Sequence, residues 1–134
     1  AALAVAQKNS DRLDAGVTFI LSDLFQNVNE KFNCIVSNPP YITEDEMGIL
    51  SEEVVKHEPE MALWGGIDGL YFYREIIRQS PKYLESGGML FFEIGYWQGE
   101  KVSEMMKESG YYHINVLKDY AGLDRIVYGI LDCD

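Results

Sequence analysis

The chain is short of basic residues, histidine, cysteine and proline, and each shortage narrows what it can be. Lys and Arg number 11 against 22 Asp and Glu, for a formal net charge of −11. No Lys/Arg-rich stretch gathers those cations on one segment, so the chain repels a polyphosphate backbone; a nucleic-acid substrate is disfavoured, a basic protein partner is not. The two cysteines, Cys34 and Cys133, form no pair at metal-ligand spacing and leave the cytoplasm as the default compartment. Cys34 reads as a small core residue and Cys133 as an exposed tail thiol. The two histidines, His57 and His113, have no partner at ligand spacing and read as structural, so no metal site is expected. No apolar run is long enough to cross a bilayer, and the start, Ala1-Ala2-Leu3-Ala4-Val5-Ala6, lacks the basic flank and long apolar stretch of a signal peptide. At 134 residues the chain fits one domain with a core of its own, needing neither disulfide nor structural metal.

Of only four prolines, two are adjacent, in Asn38-Pro39-Pro40-Tyr41. The apolar run Cys34-Ile35-Val36 before them reads as a short buried strand, and two prolines in succession forbid both a further ladder bond and a helical turn. The strand must end there, presenting the Asn38 side-chain oxygen and the Pro39 main-chain oxygen, while Pro40 fixes φ. Two stiffly held acceptors can grip one NH2 group. A planar NH2 on an amide or nucleobase is a poor nucleophile because its lone pair is delocalised. Accepting both N–H bonds orients the nitrogen and stabilises the positive charge that grows as it attacks. Tyr41 supplies an aromatic wall where a sulfonium methyl is held by cation–π attraction. The residues fit methyl transfer to nitrogen by direct in-line displacement; the plainer reading is a proline-terminated strand leading into a loop.

Along the chain, Ala1 to about Asn9 reads as a helix closed by Gln7-Lys8-Asn9-Ser10, with no capping residue before it, as if the chain began mid-helix. Val17 to Ser22 reads as a strand, followed by a loop at Asp23-Leu24-Phe25. Asp23 sits at the carboxyl end of that strand, where an open α/β sheet places ligand contacts, and can accept from the exocyclic amine of a bound nucleoside; an ordinary solvated turn residue is the alternative. A second strand spans Phe32 to Ser37. From Thr43 to about Lys56 the chain is acidic and mixed; Thr43-x-x-Glu46 resembles a capping box opening a short helix, Leu50 and Val54 would face inward, and the segment reads as a lid or substrate wall or as a connecting loop with one amphipathic turn. Residues 57–70 lack a period, carry Pro59 and three glycines, and are expected to pack beside the site. Asp68 is expected to cap a helix with Leu70, Tyr73 and Ile77 on one stripe. Ser80-Pro81 restarts a short helix ending at Gly87-Gly88. Met89 to Ile94 reads as a strand buried on both faces, and Glu93-Ile94-Gly95 as a further border of the cleft. A helix after Trp97-Gln98-Gly99 turns Val102, Met105 and Met106 inward and stops at Ser109-Gly110. Ile114-Asn115-Val116 and Arg125 to Leu131 are strands joined by a short turn, hence antiparallel. Helix and strand alternate up to that hairpin: the α/β class.

These residues together resemble the HemK/PrmC-type protein-glutamine methyltransferases that act on peptide chain release factors. The likeness rests on Asn38-Pro39-Pro40-Tyr41-Ile42, on Glu58-Pro59 followed by Ala62-Leu63-x-Gly65-Gly66-x-Asp68-Gly69-Leu70, and on Tyr73-Arg74. It continues through Leu84, Gly87-Gly88, Glu93-Ile94-Gly95, Gln98 and Gly122-x-Asp124-Arg125. The resemblance implies a Rossmann-like class I S-adenosylmethionine-dependent methyltransferase sheet with a terminal antiparallel strand. It implies S-adenosyl-L-methionine as donor, with Asp23, Leu24 and Asn38 among its contacts. Asn38 and Pro39 act on the acceptor, and Asn38 to Tyr41 hold the side-chain amide of the glutamine in a Gly-Gly-Gln segment of a release factor, giving N5-methylglutamine. The family's Gly-rich turn after its first strand, the acidic residue after its second, and its helical N-terminal domain have no counterpart here. Residues 1–134 are thus expected to be the C-terminal part of a methyltransferase catalytic domain, lacking the first two strands and binding the donor weakly or not at all alone. Asn-Pro-Pro-Tyr also occurs in adenine and guanine amino-methyltransferases, so a DNA/RNA amino-methyltransferase stays open as an alternative, as does an inactive binding fragment.

Overall fold

The structure, a computed structural model, describes residues 1–47 and 64–132. It divides into two units, Ala1–Glu30 and Lys31–Asp134.

In the first unit α1 spans Ala2–Leu13, four residues beyond the end expected at Asn9. Gln7 donates to Asp11 at 2.9 Å across one turn, an i,i+4 pair that carries the helix past its polar stretch. Asp14, in the left-handed region at φ 51°, then closes it, with the Ala15 N–H donating back to the Ser10 carbonyl at 2.9 Å. The expected strand at Val17–Ser22 pairs with no strand among the described residues. A strand needs a neighbour for its backbone groups, and here side chains serve instead: the Val17 N–H donates to Ser10 Oγ at 3.3 Å and Asn27 Nδ2 to the Leu21 carbonyl at 2.7 Å.

In the second unit four strands among the described residues form one sheet in the order β1-β2-β4-β3: β1 Phe32–Ser37, β2 Leu84–Glu93, β3 Tyr111–Lys118 and β4 Asp124–Leu131. β1 and β2 are parallel, Cys34 opposite Met89 and Ser37 opposite Phe92. β4 runs antiparallel to both β2 and β3, the terminal hairpin expected from the short turn. Asp119 makes that turn by accepting from Ala121 and Leu123 N–H groups at 2.9 and 3.0 Å. Among the described residues of this unit the helices are α2 Glu44–Met47, α3 Tyr71–Gln79 and α4 Gly99–Glu108. α3 and α4 pack on each other, and α4 lies on β3 and β4. Tyr73 of α3 meets Phe92 of β2 edge to face, 5.1 Å between ring centroids. Tyr73, Ile77, Leu90, Phe92, Val102 and Met106 form a core at or near zero exposure, each contributing roughly 1.5–3 kcal/mol by leaving water.

Four expectations are corrected here. Cys34 is exposed rather than core, because β1 is the outermost strand among the described residues and is paired on one side only. The helix from Ser80-Pro81 is a single 3-10 turn, Ser80–Lys82, after which Leu84 already pairs with Phe32 and begins β2. β2 is not evenly buried on both faces: Leu90 and Phe92 are sealed while Met89, Phe91 and Glu93 are half-buried. Asp68 does not cap α3, whose N-cap is Leu70; it accepts the Leu70 N–H at 3.0 Å in a turn before the helix. Half of the capping box forms: the Glu46 N–H donates to Thr43 Oγ1 at 3.1 Å, while the Glu46 carboxylate accepts from the Thr43 hydroxyl at 2.9 Å and not from the Thr43 backbone N–H. The rest of the segment to about Lys56 with the expected inward Leu50 and Val54, His57, residues 58–63 and Cys133 all lie outside the described residues.

Candidate active site

β1 and β2 are parallel and end side by side, and the carboxyl ends of parallel strands are where α/β sheets place their sites. Ser37 is the last residue of β1, and Asn38-Pro39-Pro40-Tyr41 follows with no ladder bond, as two prolines require. Asn38 is exposed, Pro39 buried, Pro40 and Tyr41 half-buried. Neither the Asn38 side-chain oxygen nor the Pro39 carbonyl accepts a hydrogen bond from another described residue.

The turn is braced from behind. Ile42 pairs in parallel with Trp64, and the Gly65 N–H donates to the Ile42 carbonyl at 2.7 Å. Gly65 lies so close that a Cβ there would stand 2.6 Å from the Pro40 carbonyl oxygen and from Tyr41 Cα. Gly69, at φ +76°, would likewise press a Cβ on the Tyr41 carbonyl oxygen. Glycine at 65 is set by this approach, and at 69 by approach and backbone together. So the part of the 57–70 segment that is described packs against the motif as expected. Asp68 forms an ion pair with Arg74; burial pushes its carboxyl up, but the Leu70 N–H and Arg74 outweigh that and hold it below its usual value. A groove of about 430 Å³, lined by Trp64, Gly66, Ile67, Asp68, Tyr71 and Arg74, opens on this segment, and none of residues 38–41 lines it.

At the end of β2 the carbonyls are held by side chains. The Tyr73 hydroxyl donates to Glu93 O at 2.6 Å and Arg125 Nη1 to Ile94 O at 3.3 Å, with Arg125 also paired to Asp119 at 3.2 Å. Burial, then the nearby Tyr41 and Glu93, push the Tyr73 hydroxyl well above its ordinary value, so it stays a donor. Tyr41 meets the edge of Trp97 at 6.0 Å, and Trp97 meets Tyr96 at 5.0 Å, an aromatic wall continuing from the motif. Glu93-Ile94-Gly95 thus borders the same end of the sheet as Asn38–Tyr41, and Gln98 joins them: its Nε2 donates to the Gly69 and Tyr41 carbonyls at 3.1 and 3.4 Å. That link was not visible as a role in the sequence; Gly95-x-x-Gln98 ahead of a helix is the signal that marks it.

Asp23 and Leu24 belong to the first unit. There Ser22 Oγ donates to the Leu24 carbonyl at 2.9 Å, Gln26 N–H donates to the Asp23 carbonyl at 3.1 Å, and Leu24 takes a positive φ of 52°. The turn leaves the exposed Asp23 carboxylate without a partner among the described residues. A free carboxylate on a fixed turn has the chemistry to accept an exocyclic amine, so the donor set fits a nucleoside-bearing methyl donor. Among the described residues no helix is long and apolar enough to cross a membrane.

The family model described as "Methyltransferase small domain" matches residues 1–67. A protein of Thermodesulfovibrio yellowstonii named release factor glutamine methyltransferase is 46% identical over 112 residues, covering 83% of this chain and 40% of its own. The protein of the same name from Geobacter sulfurreducens is 43% identical over 129 residues, 96% of this chain and 45% of its own. The chain thus spans less than half the length of these curated relatives. The crystal structure of a methyltransferase from Pyrococcus furiosus aligns with 95% of this chain and 56% of that one at a TM-score of 0.66 and 17% identity. This likeness shows the Rossmann-like α/β fold, and the family model marks it as that of a methyltransferase domain.

Proposed function

The chain belongs to the methyltransferase small domain family, and from that premise we propose that residues 1–134 form the C-terminal part of the catalytic domain of a protein-(glutamine-N5) methyltransferase. Its acceptor is the glutamine side-chain amide in the Gly-Gly-Gln segment of a peptide chain release factor. The observation that carries this reading is the pair of acceptors, Asn38 Oδ1 and Pro39 O, neither with a partner among the described residues, at the end of a strand whose following loop is braced by Gly65, Gly69 and Gln98.

S-adenosyl-L-methionine, when bound, supplies an electrophilic methyl group, with Asp23 and Leu24 among the residues that would hold it. Everything else falls to the protein. Asn38 and the Pro39 carbonyl accept the two N–H bonds of the amide, aim its nitrogen and stabilise the charge it acquires. Prolines 39 and 40 keep the acceptors from wandering. Tyr41 and Trp97 wall the reacting centre and exclude water. No catalytic base is required, because an amide nitrogen that carries a fourth substituent and positive charge loses its proton readily to water. The net charge of −11 favours a basic protein acceptor over a polyphosphate one, and the curated relatives carry the name release factor glutamine methyltransferase.

The test uses protein with its complete catalytic domain, methyl-labelled donor, and a release factor with and without Gln→Ala in its Gly-Gly-Gln segment. Label on the intact factor and none on the variant is expected. Equal label on both, or label on DNA or RNA instead, would overturn the reading.

A further inference from the structure

Gln98 is a polar side chain 2% exposed in a position where an apolar one would avoid any desolvation cost, so its carboxamide must be satisfied. It is, by three backbone groups from three separate segments. Oε1 accepts the Gly95 N–H at 2.9 Å, and Nε2 donates to the Gly69 carbonyl at 3.1 Å and the Tyr41 carbonyl at 3.4 Å. The amide orientation is fixed by these partners, since an N–H can only donate and a carbonyl only accept. Gln98 is itself anchored: its N–H donates to Gly95 O at 3.0 Å, and its carbonyl accepts the Val102 N–H at 3.0 Å as the N-cap of α4. The glycine at 69 is what lets Nε2 reach Tyr41, since a Cβ there would lie 3.1 Å from Nε2 and press on the Tyr41 oxygen. Between Gly95 and Gln98 the Trp97 ring folds over Gly95 and meets Tyr41 edge-on.

We propose that Gln98 is a positioning residue for the methyl acceptor: by holding the Tyr41 carbonyl against Gly69 and Gly95, it fixes where the Asn38 and Pro39 oxygens stand. Pro39 and Pro40 leave little torsional freedom between that anchor and the acceptor pair. Losing it misplaces the grip without touching the substrate. The proposal rests on the reading of Asn38–Tyr41 as the acceptor site.

Gln98→Glu separates the hydrogen bonds from the packing. The ionised glutamate keeps the size and the acceptor toward Gly95 but has no donor for the two carbonyls; protonated, it regains one O–H donor. In protein with its complete catalytic domain, the variant at alkaline pH is expected to lose about a hundredfold in kcat with KM for the methyl donor unchanged. The ratio to wild type should climb as pH falls and the buried carboxyl protonates. Gln98→Leu should be depressed at every pH; where it fails to fold, the glutamate titration alone decides. A Gln98→Glu enzyme with wild-type kcat throughout, or one equally impaired at every pH, overturns the proposal. Amide hydrogen exchange at Gly65, Gly69 and Tyr71 gives a readout independent of the acceptor. It should quicken in Gln98→Glu at alkaline pH, and unchanged exchange overturns the positioning role. Failure of the wild-type enzyme to label any release factor would refute the substrate reading instead, with the exchange data still deciding what Gln98 holds.

Discussion

Replacing Gly65 by alanine places one methyl group against the backbone of the acceptor turn. The new Cβ would stand 2.6 Å from Pro40 O and Tyr41 Cα and 2.8 Å from Tyr41 C. Ordinary van der Waals contact begins near 3.4 Å, so the two segments must part by about 0.8 Å, and the opposing atoms are main chain that no rotamer change can withdraw. Overpacking of this kind costs about 1–3 kcal/mol of stability. The displacement falls on residues whose oxygens must meet two N–H groups at once, and a shift near 1 Å costs on the order of a hundredfold in rate. The control is Gly87→Ala, where φ is +75° but no atom lies within 4 Å. It carries only the left-handed strain of about 1–2 kcal/mol and should leave turnover unchanged. The assay is initial rate of methyl transfer beside thermal unfolding of both variants. A Gly65→Ala enzyme with wild-type turnover, or both variants losing rate alike, would refute the reasoning.

Further outcomes follow from the braces. Tyr73→Phe leaves the Glu93 carbonyl without its 2.6 Å donor and should lower stability by about 1–3 kcal/mol in denaturant titration. Because the folded Tyr73 pKa is raised above its ordinary value of 10.0, the wild-type advantage over Tyr73→Phe is present below that pH and should be lost as pH rises beyond it; an advantage that persists unchanged into strong alkali contradicts the assignment. Asp119 is held below its ordinary 3.8, first by the Leu123 N–H, against an opposing burial effect, then by Arg125 and the Ala121 N–H. Its contribution is therefore complete above that value and lost as pH falls through the lower folded one. Asp119→Asn should show a shallower loss of stability in that acid range, measured by thermal unfolding. Asp23→Ala should weaken binding of the methyl donor by about 1.5–3 kcal/mol in calorimetry with kcat nearly unchanged at saturation; unaltered affinity would remove Asp23 from the donor site.

What could be read from the residues was what local rules determine. The consecutive prolines at 39 and 40 end β1 wherever the chain folds, the Asp119–Asp124 turn makes neighbours of β3 and β4, and Thr43 caps the helix by accepting the Glu46 N–H. What was misread depends on partners distant in sequence. Val17–Ser22 has the composition of a strand but no ladder. Cys34 has an apolar neighbourhood in sequence yet lies on an outer strand. Leu84–Gly88 looks like a helix end and is drawn into β2 by pairing with Phe32. Within the proposed site, the turn at Asn38 to Tyr41 was legible because its residues are adjacent. The Gln98 link was not, since Gln98 is separated by tens of residues from Tyr41 and Gly69, and nothing in a single sequence records which carbonyl a buried amide will meet.

The most direct measurement is mass-spectrometric mapping of a release factor treated with methyl donor and either wild-type protein or Asn38→Ala, each with its complete catalytic domain. With wild type, one added methyl should lie on the side-chain nitrogen of the Gly-Gly-Gln glutamine; with Asn38→Ala the yield should fall by about 10²–10³-fold, as when one of two charge-stabilising partners is removed. A methyl found on another residue, or undiminished yield from the variant, would contradict the claim that Asn38 and Pro39 grip a glutamine amide.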